Sequence, residues 1–158
     1  MNANFKNEIQ TFGRSLLLPI AVLAPVGMVM GISAALGQSY MIDKLPFLGN
    51  EIFRAILSSL GLISSVVFNN IPLLFAMGVA YGMSKKEKGI AVFASVVAYL
   101  TLLIAMHVHL KLAGTLAKED MAFVGQGMVL GIQTLKIEAL GGIIAGLLAA
   151  KITDRFYR

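Results

Sequence analysis

Residues 15–42 read SLLLPIAVLAPVGMVMGISAALGQSYMI, 28 consecutive uncharged positions between Arg14 and Asp43. A membrane-crossing helix needs about 20 mostly apolar residues, because hydrocarbon is roughly 30 Å thick and a helix rises about 1.5 Å per residue. Two further stretches meet that requirement. Thirty uncharged residues separate Arg54 from Lys85, and 22 separate Lys88 from Lys111. A fourth run, Ala139–Ala150, has 12. At about 18 Å it is short for a span. It is therefore expected to recruit Thr134–Glu138, with Lys136 and Glu138 reaching toward the headgroups.

The rest of the composition agrees. Of 158 residues, 58% are hydrophobic and 13% charged, about half the charge of a soluble domain. Disorder needs the opposite balance. The chain has no Cys, which excludes disulfides, Cys-ligated zinc and thiol chemistry. Its net charge of +5 sets membrane orientation rather than nucleic-acid binding, since no basic face interleaved with aromatics is present. The expected class is an all-α integral membrane protein of four to five transmembrane helices. These fall at about 15–38, 52–68, 71–84, 88–110 and 134–153, behind an interfacial amphipathic helix over 1–14. In that first segment Phe5, Ile9 and Phe12 share one helix face while Lys6, Glu8 and Gln10 lie on others. A cleaved signal peptide competes, because Ser33-Ala34-Ala35 loosely resembles a cleavage site. The apolar run before it is too long for that, and more spans follow.

The second run carries a break. Asn69-Asn70-Ile71-Pro72 sits in its middle, where proline removes a backbone donor and disfavours helix in the preceding residue. A single broken passage and two short helices both fit. Lys6 and Arg14 precede the first span, Lys85, Lys86 and Lys88 precede the third, and Lys151, Arg155 and Arg158 follow the last. The other loops are mixed, with Asp43, Lys44, Glu51 and Arg54 in one and Lys111, Lys118, Glu119 and Asp120 in another. If all three basic clusters are cytoplasmic, residues 52–84 cross once overall, which favours the broken passage.

Small residues recur at spacing four: Gly27 and Gly31 followed by Ala35, Gly78 and Gly82, and Gly142 and Gly146 followed by Ala150. Helices in lipid associate through such faces by close backbone approach. Packing within the chain is the first reading, and contact with a second copy the alternative. Pro19 and Pro25 are expected to kink the first span, and the nine Met residues to fill packing gaps. His107 and His109 lie two apart and share no helix face, which defeats a paired metal site; they read as interfacial. Asn69 and Asn70 are candidate substrate contacts, with satisfaction of the broken backbone as their other role. Neither a catalytic group nor a cofactor or metal site is legible.

Several stretches together carry a resemblance. Phe12-Gly13-Arg14-Ser15-Leu16-Leu17-Leu18-Pro19-Ile20, leading into Gly27-Met28-Val29-Met30-Gly31, resembles the start of the membrane subunit (EIIC) of sugar phosphotransferase systems, in the glucose/maltose/N-acetylglucosamine superfamily. Asn70-Ile71-Pro72-Leu73-Leu74-Phe75-Ala76-Met77-Gly78-Val79-Ala80 and Gly89-Ile90-Ala91-Val92-Phe93-Ala94 do likewise. Gly131-Ile132-Gln133-Thr134-Leu135, Gly141-Gly142 and Asp154-Arg155-Phe156 are similar to the maltose- and α-glucoside-type members.

The resemblance implies a bacterial inner-membrane permease with a cytoplasmic N-terminus. Its sugar uptake is coupled to phosphorylation from phosphoenolpyruvate through IIB and IIA components. It also implies that these residues match a dimerising scaffold of about five helices, which favours splitting 52–84 in two. The resemblance places the sugar-site half outside these residues, the chain being a truncated gene product, a fragment or one half of a split subunit, and no sugar-site residue carries over. The rivals are a small pore-forming, holin-like oligomer, for which no polar helix stripe is visible, and a membrane enzyme, for which the spans lack charged residues. The purified chain is expected to stay in solution only with detergent. Recovery as a water-soluble monomer would overturn the membrane reading.

Overall fold

The structure is a computed structural model describing residues 3–117 and 125–157. Lys118, Glu119, Asp120 and Arg158, counted among the loop charges, lie outside the described residues. Helix α1 runs unbroken from Ala3 to Leu36, through both prolines and through the expected boundary at residue 14. After it come α2 (Ser39–Lys44), a 3-10 turn (Pro46–Gly49), α3 (Glu51–Asn69), α4 (Ile71–Met83), α5 (Lys88–Leu112), strands β1 (Gln126–Val129) and β2 (Ile132–Leu135), and α6 (Glu138–Phe156). Among the described residues, three helical segments are long and apolar enough to cross a membrane: Phe5–Leu36, Glu51–Asn69 and Lys88–Leu112. With this content the chain is a multi-pass helical membrane protein.

The long second run divides where proline was expected to divide it. Asn70 ends α3 at φ −110°, ψ 20°, and Pro72 occupies the first turn of α4, where its missing N–H has no helical acceptor to lose. Asn70 stabilises that end itself, its Nδ2 donating to the Val66 carbonyl at 2.8 Å. At the opposite end of α3, Asn50 Oδ1 accepts from the Ile52 N–H at 2.9 Å and caps the helix.

One expectation fails. The last helix does not reach back to Thr134; it begins at Glu138, and residues 126–135 form an antiparallel hairpin with Val129 opposite Ile132. Its turn places Leu130 at φ +51° and Gly131 at φ +79°, the paired positive dihedrals of a type I′ turn, and Gly131 supplies one of them without strain. The uncharged stretch was too short for a span because most of what precedes it is strand.

The chain forms two compact units, residues 20–70 and residues 1–19 with 71–158. In the first, α1 and α3 run antiparallel. A Cβ on Gly27 would meet Phe68 at 3.5 Å, and one on Gly61 would meet the Ser33 hydroxyl at 3.7 Å, both ordinary contacts. Leu48 and Leu57 are buried there, and Phe47 meets Phe53 edge-on with ring centroids 5.7 Å apart.

In the second unit α4 is the central element. Ala76, Val79 and Ala80 are fully buried. Ala76 packs with Tyr99 and Leu103 of α5 and Ala145 of α6; Ala80 packs with Ala91 and Ala149. Rising numbers on α4 therefore meet falling numbers on α5 and rising numbers on α6, so α5 is antiparallel to α4 and α6 is parallel to it.

The glycines differ sharply in what surrounds them. A Cβ at Gly146 would lie 2.6 Å from the Ala76 carbonyl oxygen, whereas nothing lies within 4 Å of the Cβ position at Gly31. Gly146→Leu is accordingly expected to cost more than the 1–3 kcal/mol of ordinary overpacking, because backbone rather than side chain must give way. Gly31→Leu should change stability by less than about 0.5 kcal/mol. Thermal unfolding in detergent, followed by circular dichroism, separates the two.

Candidate functional site

Helix α4 has no charged residue and carries small side chains on two faces, so two partners approach it closely. Toward α6, a Cβ on Gly142 would overlap the Pro72 carbonyl oxygen, and Gly146 faces Ala76 and Val79. Toward α1, a Cβ on Gly78 would lie 2.6 Å from Pro19 Cδ, and one on Gly82 would overlap Ser15. Gly78, Gly82, Gly142 and Gly146 thus all sit at close approaches within one unit. Such contacts bring Cα hydrogens against carbonyl oxygens and multiply dispersion contacts, the main sources of helix association in lipid. Buried hydroxyls at the seams are satisfied by their own helices: Ser15 donates to the Phe12 carbonyl and Ser95 to the Val92 carbonyl, both at 2.7 Å.

One end of this unit is tied by a carboxylate. Asp154, near the end of α6, accepts from the Ser84 hydroxyl at 2.9 Å, the Lys85 N–H at 3.0 Å and the Lys86 N–H at 3.3 Å. It thereby closes the turn between α4 and α5 with three donors on one side chain. Partial burial alone would raise its pKa. The hydrogen bonds from Lys85, Ser84 and Lys86 and the Lys85 charge outweigh that and hold the carboxyl below its ordinary value.

The other end is closed by the hairpin. Val129 and Ile132 pack against the cluster of Ala76, Tyr99, Leu103 and Ala145. His107 Nδ1 lies 2.7 Å from the Gln133 carbonyl oxygen and donates to it in the tautomer that this contact requires. Gln126 bridges to the segment after α5: its Oε1 accepts from the Ala117 N–H at 3.0 Å and its Nε2 donates to the Thr115 carbonyl at 2.9 Å. Gln133 Nε2 donates to the Ala117 carbonyl. Thr134 is fully buried, and its hydroxyl has no hydrogen-bond partner among the described residues.

The expected site residues therefore separate. Gly78, Gly82, Gly142 and Gly146 converge on α4, Gly27 touches Phe68, and Gly31 is open. Asn69 is exposed, and Asn70 serves the end of α3. Asp154 was missed as a structural acceptor although it belongs to a stretch that carried the resemblance. An acidic residue among Lys151 and Arg155 was its only signal. His107 anchors the hairpin, a role that spacing to His109 could not show.

A helical, multi-pass membrane architecture locked by glycine contacts and free of charge at its centre is the class that this geometry defines. The family model for "Phosphotransferase system, EIIC" matches residues 13–158. The chain belongs to that family. It is 30% identical over 151 residues to the maltose-specific EIICB component of the phosphotransferase system of Escherichia coli, covering 94% of this chain and 28% of that protein. It is 33% identical over 150 residues to the glucose-specific EIICBA component of Staphylococcus saprophyticus, covering 95% of this chain and 22% of that one. The chain thus spans roughly a quarter of the length of these relatives. No solved structure matches.

Because its pKa is depressed in the folded state, Asp154 contributes stability that is present above the ordinary carboxylate range and is lost as pH falls through its lower folded value. Asp154→Asn is expected to destabilise by about 1–2 kcal/mol at pH 7. It should also flatten the acid side of the stability profile below about pH 4. Unfolding midpoints of both proteins from pH 2 to 7 give the comparison.

Proposed function

We propose that this chain forms the N-terminal, scaffold portion of a phosphoenolpyruvate-dependent sugar permease for a maltose- or glucose-class sugar, in the bacterial inner membrane. Its task on this reading is mechanical. It gives a sugar-carrying half a fixed wall to move against, and IIB and IIA components supply the phosphoryl group. The observation that carries the reading is the α4–α6 seam, where backbone meets backbone at Gly142 and Gly146 and no charged group intrudes. A wall needs that rigidity, whereas a carrier site needs convergent polar groups facing a cavity.

Orientation follows from charge. Lys85 with the α4–α5 turn, Lys151 and Arg155 gather at the end of the unit where Asn7 and Thr11 of α1 also lie. Placing this end in the cytoplasm satisfies the positive-inside rule at all three basic clusters. Residues 51–83 then make one net crossing, as two helices with a break between them. Dimerisation belongs to the same reading. With four of the six expected glycines engaged around α4, the open position at Gly31, flanked by exposed Met28 and Ile32, is the free face for a second copy.

Two experiments test this. Co-expression with the second half of a maltose- or glucose-type permease should restore sugar uptake and phosphorylation, while the chain alone should transport nothing. Failure despite stable insertion of both halves would count against the scaffold. In the naturally Cys-free chain, single cysteines at Lys6 and Lys86 should react with impermeant thiol reagent only from the cytoplasmic side, and those at Ser39 and Thr115 only from the other.

A further inference from the structure

The basic end of the unit containing α4 encloses a cavity of about 520 Å³ that neither the packing nor the proposed scaffold role uses. That volume lies in the range of small-ligand sites. Its lining is graded. Lys85, Lys151 and Arg155 are exposed, Met83 and Leu147 are half-buried, and Ala150 is buried. Cations at the water side above an apolar wall match one chemistry in a membrane protein, a phosphate joined to an acyl chain.

We infer that this cavity binds an anionic phospholipid, with the phosphate against Lys151, Arg155 and Lys85 and the first part of an acyl chain along Met83 and Leu147. Arginine offers phosphate a planar fork of donors, and lysine a mobile point charge. Basic pockets between membrane helices on the cytoplasmic side suit anionic headgroups, because the local field concentrates them there. Two carboxylates also line the cavity. Asp154 stays ionised, but its oxygens are held by Ser84, Lys85 and Lys86 at the α4–α5 turn. With Glu8, exposed on α1, the lining sets three cations against two carboxylates, a net charge of +1 that suits a headgroup of one negative charge. Free phosphate would leave the apolar wall without an occupant, which is why a lipid is the better match. The inference needs this end to lie at a lipid–water boundary and does not depend on sugar transport.

The test uses the full chain in detergent and measures retention of phosphatidylglycerol against phosphatidylcholine of the same acyl chains by native mass spectrometry. Phosphatidylglycerol should be retained at least tenfold better. Lys151→Gln with Arg155→Gln should lower that preference at least about fivefold. A charge-matched control, Lys44→Gln with Lys111→Gln, should leave it unchanged. Leu147→Ser should weaken retention of both lipids, and circular dichroism verifies that each variant keeps its helices. The single change Lys151→Gln replaces the pair if the pair does not fold. Equal retention of the two lipids, an unchanged preference in the cavity variant, or displacement of phosphatidylglycerol by millimolar inorganic phosphate would each overturn the inference. Retention that appears only when a soluble IIB protein is added would do so as well.

Discussion

Contact between the backbones of α4 and α6 is the constraint on which the larger unit rests. Gly142 and Gly146 let α6 approach until the carbonyl oxygens of Pro72 and Ala76 occupy the space of the missing Cβ atoms. In water, burying large apolar side chains would hold two such helices together. In lipid that drive vanishes between helices, and what remains is dispersion at short range and weak polar contacts along the backbone. Both fall off steeply with distance. A helix pair separated by one methyl group would lose much of its attraction, so the glycines set how firmly the unit holds.

The remaining features of that unit follow from this seam. With α6 pressed parallel to α4, α5 returns antiparallel alongside both, and its Tyr99 and Leu103 pack against Ala76 and Ala145. The two ends are then closed by different means. Asp154 fastens the exposed turn with a charged acceptor, whose bonds to N–H groups are stronger than neutral ones. At the other end a hairpin packs Val129 and Ile132 onto the core and hangs from His107 and two glutamines. A charged acceptor thus closes one end of the unit, and neutral hydrogen bonds close the other.

Membership of the EIIC family and the glycine-locked core bear on the same question from different sides. Family membership says which kind of membrane protein these residues resemble along nearly their whole length. Geometry says how the core is held: its packed centre consists of alanines, glycines, Tyr99 and Leu103.

The linear order of residues determined most of the helical plan, because charge and hydropathy act locally. Charge-free runs located α1, α3 with α4, and α5, and Pro72 with its two asparagines located the break. Glycine spacing marked faces that could pack closely, since a missing side chain is a local property, but not that Gly31 would stay open. Partners are not local. That α4 should receive Gly142 and Gly146 on one face while its own Gly78 and Gly82 receive Pro19 and Ser15 on another depends on chain reversals that no window of sequence contains. The hairpin escaped notice because its uncharged, alternating residues look like a weak continuation of a helix until Leu130 and Gly131 turn with positive φ. Asp154 and His107 gained their roles only when residues about 70 and 26 positions away were brought within hydrogen-bond reach. Tertiary packing alone creates such distances.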